Sequence, residues 1–237
     1  MKRLGTMLSA AGLAAMMVAS GVKATPSTNI WNPTTDIQDK RTYHLDIDNY
    51  FNFEKLKSKG SDNIPTDVGL LYGLGTGFEV GVDVNEASLN PFLFNVKWGQ
   101  PEKGKMPAYA VGIQGLGLTS SSNAAILYGL ASKNFTKPGR FTLGAYYGQP
   151  NVLRVNAAGG RSGDNAGVIA EWDRSFGDKW WASVDCASGV NTYGEISVGG
   201  AYNFTKSVSV IVGLVHFNSS AHYANPDTIT TQLDINF

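Results

Sequence analysis

The chain has 237 residues, one cysteine, and 19 basic and 19 acidic side chains. This balance excludes the broad basic surface that nucleic-acid binding requires, and the single cysteine excludes a disulfide within the chain. After the first 24 residues, no apolar run approaches the roughly 18 residues of a membrane-spanning helix.

The first 24 residues have the three parts of a secretory signal peptide. Lys2 and Arg3 supply positive charge, an apolar and small-residue stretch follows, and Val22 and Ala24 occupy the positions of a cleavage site. We expect cleavage after Ala24, with an uncleaved membrane anchor as the alternative. Loss of this segment, which includes Lys23, leaves 16 basic and 19 acidic residues, a net charge of −3.

Residues 25–40 form a separate segment, TPSTNIWNPTTDIQDK. It contains two prolines and no alternation of apolar and polar residues, which predicts an extended segment outside any strand. Where this segment lies depends on the fold of residues 41–237.

Residues 41–237 are dominated by period-two alternation between turn-forming residues, which predicts an all-β domain. Twelve strands are expected, and ten or fourteen remain alternatives. In the fifth, the alternation changes phase at Leu116, which predicts a β-bulge among the glycines. The strands begin near Tyr43, Val68, Phe78, Phe92, Tyr109, Ile126, Phe141, Val168, Trp180, Ile196, Val208 and Ile229.

The connections distinguish between two all-β architectures. Longer and shorter connections tend to alternate, and the short ones include two copies of Asn-Phe-Thr-Lys, at residues 134–137 and 203–206. An antiparallel up-and-down transmembrane barrel has tight turns at one end and longer loops at the other. A soluble sandwich of two sheets is the alternative, because it shows the same alternation along each strand.

The last strand carries a further signal. Leu233, Ile235 and Phe237 share one face, and the chain ends at the aromatic residue. With the leader and the overall alternation, this end resembles bacterial outer-membrane β-barrel proteins of the porin type. The resemblance implies an outer-membrane location, contact with its lipid, and a final strand that the barrel-insertion machinery reads as an assembly signal.

In such a barrel, the face opposite the apolar one lines the lumen. Nine acidic residues and one clear basic residue share that face, with Lys133 as a further candidate near the rim. The set predicted to line the solute path is Asp46, Asp48, Glu79, Asp83, Lys97, Glu171, Asp173, Asp185, Glu195 and Asp234. A water-filled lumen with this charge concentrates cations. Twelve strands leave a bore on the order of 10 Å across.

Two features affect whether this bore is open. The segment 25–40 is expected to be a disordered periplasmic tail, with a partial plug that places Trp31 in the barrel mouth as the alternative. Many lumen-facing positions are glycine, which either widens the bore or allows curvature and close packing.

The expected function is passive permeation of small cationic or neutral solutes. A structural or adhesive barrel, whose long loops bind partners, is the alternative. A lipid hydrolase is less favoured: His216, Ser219, Ser220, His222 and Asp227 gather near one loop, but clustering in a polar loop is common. The sequence shows neither a metal-ligand spacing nor a cofactor motif. His44 and Asp46 share one strand face, and solvated lumen side chains are favoured there over a cation site. The sequence leaves the oligomeric state open.

Overall fold

The computed structural model describes residues 27–52, 64, 66–85, 90–120, 122–154, 163–218 and 227–237. The predicted signal peptide, residues 1–24, therefore lies outside the described residues, as do parts of the two longest connections. In the described ranges, no helix combines the length and apolar character needed to cross a membrane.

The described residues form one closed antiparallel barrel in which every strand pairs with its neighbours in sequence, and β1 pairs with β12. A four-residue helix, α1 (Pro150–Leu153), follows β7. The strands are β1 (Tyr43–Asn52), β2 (Asp67–Gly75), β3 (Phe78–Asn85), β4 (Phe92–Gln100), β5 (Ala108–Gly117), β6 (Ile126–Phe135), β7 (Gly139–Gly148), β8 (Ala166–Phe176), β9 (Trp180–Ala187), β10 (Glu195–Asn203), β11 (Val208–Phe217) and β12 (Thr228–Asn236).

The predicted fold class and the strand count of twelve are confirmed, and the sandwich alternative is wrong. A single sheet closes on itself, so it has no second sheet to bury its apolar face. Instead that face points outward: Leu143 is 64% exposed and Val198 is 51% exposed. Outward apolar and inward polar side chains are the arrangement of a barrel that spans a lipid bilayer.

The two ends of the barrel differ in their connections. We call the end with residues 76–77, 101–107, 136–138, 177–179 and 204–207 the short-turn end, and the opposite end the long-loop end. Both copies of Asn-Phe-Thr-Lys lie at the short-turn end, as predicted. The predicted bulge is also present: the pairing shifts between Phe94 and Val96, and Gly115 on β5 has a φ of 72°.

Aromatic side chains encircle the short-turn end on the outer face. Tyr202, for example, lies 4.8 Å from Trp180 and 5.0 Å from Phe204 between ring centroids. Such girdles mark the level of lipid headgroups. The group comprises Tyr43, Tyr72, Phe78, Trp98, Tyr109, Phe135, Phe141, Trp180, Tyr202, Phe204 and Phe237.

The C-terminal residue closes the seam between the first and last strands. The Tyr43 amide donates to the Phe237 carbonyl at 2.7 Å, and the Phe237 amide donates to the Tyr43 carbonyl at 3.0 Å. The two rings stack with centroids 5.6 Å apart. The predicted terminal signal therefore lies where the barrel closes.

We expect deletion of Phe237 to reduce the yield of folded barrel several-fold, because it removes the last two hydrogen bonds and the ring stack of the seam. The measurement is the heat-modifiable fraction on gels, with Phe237→Tyr as a control that keeps the backbone and a ring. Normal folding of the shortened chain would contradict a role for this residue in assembly.

Candidate functional site

The nine acidic residues predicted to line the lumen are all at least partly buried. Six of the nine are buried: Glu79, Glu171, Asp173, Asp185, Glu195 and Asp234. Three are half-buried: Asp46, Asp48 and Asp83. A tenth acid, Asp67, was missed because the second strand was predicted to begin at Val68. The strand begins one residue earlier, at Asp67. Because adjacent side chains in a strand point to opposite faces, the outward position of Val68 predicts that Asp67 points inward.

Residues 27–38 lie inside the barrel, Asp39 and Lys40 are exposed, and the expectation of a periplasmic tail is wrong. We call residues 27–40 the plug. The Asn29 amide donates to the Asn32 carbonyl at 2.9 Å, and a bridge joins Thr28 and Pro33, so the plug makes a U-turn. Its two ends lie near the short-turn end, because Ser27 and Gln38 both contact Glu79.

Three carboxylates on β8, β9 and β10 accept hydrogen bonds from the tip of the plug. The backbone amides of Trp31 and Asn32 both donate to Oδ2 of Asp185, each at 2.9 Å. The side-chain amide of Asn32 donates to Glu195 at 2.7 Å, and that of Asn29 donates to Glu171 at 2.9 Å. These donors supply no positive charge, and Oε1 of Glu171 and Oε2 of Glu195 are buried with no hydrogen-bond partner among the described residues.

Apolar contacts hold the same tip. Ile30 is 1% exposed and belongs to a buried cluster on β10 and β11 that includes Ile211 and Phe217. The Trp31 ring lies 5.1 Å from Phe217 and 5.6 Å from Tyr50 between centroids, and its Nε1 donates to the Tyr193 carbonyl at 3.2 Å. Trp31 thus lies near the long-loop end rather than in the mouth of the other end.

Charged groups fix the arms of the plug. Arg140 on β7 lies between two carboxylates, with Nη1 2.7 Å from Asp36 of the plug and Nε 2.7 Å from Asp173 of the wall. Hydroxyl oxygens of Thr35 and Ser132 are 2.5 Å apart. The plug is therefore attached to the wall at its tip and along its length.

Both basic residues singled out for the lumen are paired. Lys97 lies 2.9 Å from Glu79 and also donates to Ser27 Oγ at 2.7 Å. Lys133 instead reaches the turn between β4 and β5, where it contacts Glu102 at 2.7 Å. The hydrogen bond from Lys133, together with one from the Asn134 amide, holds the pKa of the Glu102 carboxyl below its usual value.

Several lumen-facing glycines make room for the plug. A Cβ at Gly73 would overlap the carbonyl oxygen of Asp39, and one at Gly199 would lie 2.9 Å from Ile30 Cδ1. One at Gly213 would lie 3.0 Å from Ile30 Cγ2. At these positions, close packing against the plug explains the absence of a side chain.

Two cavities lie within the described part of the barrel, the first of them beside the plug. The first, of about 290 Å³, lies between the plug and strands β1 to β5, and we call it the acidic cavity because Asp46, Asp48, Asp67 and Asp83 line it. The second, of about 400 Å³, is the mouth cavity, which opens among the short turns at Asp178 and Thr205.

Asp234 lines both cavities. Its carboxylate lies 3.4 Å from Nε2 of His44 and accepts a hydrogen bond from Ser209 at 3.1 Å. His44 also lines the acidic cavity and contacts Asn236 at 3.1 Å. Asp234 therefore borders both spaces.

The described residues give little support to other chemistry. No group of three histidine, cysteine or acidic side chains in these ranges has a geometry able to hold a metal ion. His216 contacts Asp227 at 2.8 Å. Ser219, Ser220 and His222, which the hydrolase hypothesis also requires, lie outside the described residues.

No protein-family model and no curated protein matches the chain. Two porins are among the solved structures similar to this chain. A structure of the NanC porin has a TM-score of 0.52 and 13% identity, and the alignment covers 81% of this chain and 98% of that one. The KdgM porin has a TM-score of 0.50 and 13% identity, with 83% and 98% covered. The fold is that of a porin-like outer-membrane β-barrel. Because identity is low, the similarity establishes the architecture alone.

Proposed function

We propose that this protein is an outer-membrane channel through which small cations cross along a narrow path beside the plug. The observation that carries the proposal is the pair of cavities that share Asp234 in their linings. The path runs from the long-loop end, through the acidic cavity and past His44, to the mouth cavity at the short-turn end.

The charge of the acidic cavity favours cations. Five aspartates line it, and the fixed cation on its lining, Lys97, is 2.9 Å from Glu79 and thus neutralised. The mouth cavity carries two lysines and two aspartates, so we expect the acidic cavity to set the selectivity. Low-dielectric walls strengthen the field of fixed charges in a narrow water-filled space. Anions are therefore expected to be excluded more strongly than neutral solutes of the same size.

The orientation follows from the barrel architecture. In bacterial outer-membrane barrels, short turns face the periplasm and longer loops face outward. The leader predicted for residues 1–24 would export the chain, and insertion machinery would place it in the lipid of the outer membrane. In this orientation, the plug enters from the periplasmic side.

Conductance in planar lipid bilayers tests the proposal. We expect small ohmic steps with a reversal potential that indicates cation selectivity in a salt gradient. The double variant Asp46→Asn/Asp48→Asn removes two charges from the acidic cavity, so its reversal potential should shift toward zero while folding is unchanged.

Glu102→Gln is the control, because Glu102 is exposed on the turn between β4 and β5 and lines neither cavity. An unchanged reversal potential in the double variant would show that the acidic cavity is not on the path. A silent bilayer that contains inserted wild-type protein would favour the structural or adhesive alternative.

A further inference from the structure

The plug divides the predicted solute path into two sets of residues. Asp46, Asp48, Asp83 and Asp234 line open cavities. Glu171, Asp173, Asp185 and Glu195 lie against the plug or its Arg140 anchor, and each is less than a tenth exposed. The wall of β8 to β10 thus carries an acidic surface that no solute reaches while the plug is seated.

We propose that the plug is a releasable gate, and that the wall it covers is a second, wider route for organic cations such as amines and guanidinium compounds. This inference rests on the proposed channel function and adds to it a gated state and a solute class. In that state, Glu171, Asp185 and Glu195 line the bore instead of binding the plug.

The first argument is the imperfect match between plug and wall. Neutral amide groups, rather than cations, donate to the three carboxylates at the tip. Oδ1 of Asn29 and Oδ1 of Asn32 are buried with no hydrogen-bond partner among the described residues. A buried acceptor without a partner destabilises the state that buries it. The seated plug therefore lacks the full set of contacts expected of a permanent core.

The second argument is the chemistry that the vacated wall would offer. Carboxylates that accept amide hydrogens at 2.7 to 2.9 Å have the geometry to accept hydrogens from an ammonium or guanidinium group. A cation would add the positive charge that the plug does not bring to its tip. Organic cations are thus the solutes best able to take the place of the plug.

The third argument is that release leaves the barrel intact. The plug contacts described above join groups of the plug to side chains on the lumen face of the barrel. None of the contacts of Ser27, Asn29, Asn32 and Thr35 is a hydrogen bond between strands. All twelve strand pairings are made within residues 43–236. The barrel is therefore expected to stay closed when the plug leaves.

A reversible lock tests the gate in the full-length chain. The lock is a disulfide in the variant Thr35→Cys/Ser132→Cys, made in a Cys186→Ala background. In the native protein, the hydroxyl oxygens of Thr35 and Ser132 are 2.5 Å apart. Adding Asn29→Ala/Asn32→Ala weakens the tip. We expect this protein to show a several-fold higher conductance when reduced than when oxidised, because the disulfide prevents release of a plug whose tip contacts have been weakened.

Deletion of residues 27–38 provides a second variant, and heat-modifiable mobility on gels verifies that each barrel is folded. Vesicle-swelling rates with arginine amide and with glutamate, a cation and an anion of similar size, report the solute class. The open forms should admit arginine amide several-fold faster than glutamate, and Glu171→Gln/Glu195→Gln should reduce that preference.

The outcomes separate the gate from the channel proposal. A conducting wild-type protein whose open variants have the same conductance would overturn the gate and leave the channel. A silent wild-type protein with conducting open variants would support the gate and overturn the path beside the plug. Equal entry of arginine amide and glutamate into folded open variants would overturn the assigned solute class.

Discussion

Replacing Asp185 with alanine should release the tip of the plug. Oδ2 of this residue accepts the backbone amides of both Trp31 and Asn32, and Oδ1 accepts the Ser197 hydroxyl. The side chain is fully buried. Each buried donor that loses its acceptor costs about 1–3 kcal/mol, so the seated state should lose at least about 3 kcal/mol, or ~100-fold in its population relative to the released state.

The measurement is the rate at which a membrane-impermeant maleimide labels Thr35→Cys, in a Cys186→Ala background. Thr35 is 3% exposed when the plug is seated, so labelling reports release. We expect a rate increase of one to two orders of magnitude in Asp185→Ala. Asp178→Ala, an exposed residue on the neighbouring turn, is the charge-matched control. Equal rates in the two variants would show that Asp185 does not hold the plug.

Replacing Arg140 with alanine should lower the free energy of unfolding, because two carboxylates lose their shared cation. The guanidinium lies within 2.7 Å of both Asp36 and Asp173, and its side chain is 18% exposed. Its removal leaves two carboxylates close together without a cation. Breaking a largely buried ion pair in this way costs about 3 kcal/mol. We expect a lower midpoint of unfolding in urea, followed by tryptophan fluorescence.

Neutralising the two carboxylates as well distinguishes the effect of unpaired charge from the effect of lost side-chain packing. The triple variant Arg140→Met/Asp36→Asn/Asp173→Asn has no unpaired charge, so its midpoint should return most of the way to the wild-type value. A triple variant no more stable than Arg140→Ala would mean that the packing of Arg140, and not its charge, accounts for the loss.

The strands were predictable from the sequence because their pattern is local. Period-two alternation fixes which side chains share a face, and so it placed Glu79, Asp185 and Asp234 inside the barrel. The one missed acid, Asp67, stands at a strand end, where alternation gives the weakest information. The phase change before Leu116 was also visible, because a bulge shifts the alternation of its own strand.

The position of the plug could not be read in the same way. Residues 27–40 have no periodicity, and their partners are far along the chain: Asn29 contacts Glu171, 142 positions later. One signal was present in the lumen-facing glycines, since Gly73, Gly199 and Gly213 leave space that the plug fills. Glycine at those positions fits curvature equally well, so the pattern did not decide between the two interpretations.

The U-turn of residues 27–40 also has a consequence for biogenesis. Because both arms approach through the same opening, the segment can enter after the seam between Tyr43 and Phe237 has closed, and no strand needs to separate. Strand pairing and burial of Trp31 are then two distinct kinetic events. Refolding should show an indole signal that lags behind the appearance of sheet, and truncation of the segment should abolish only the slower phase.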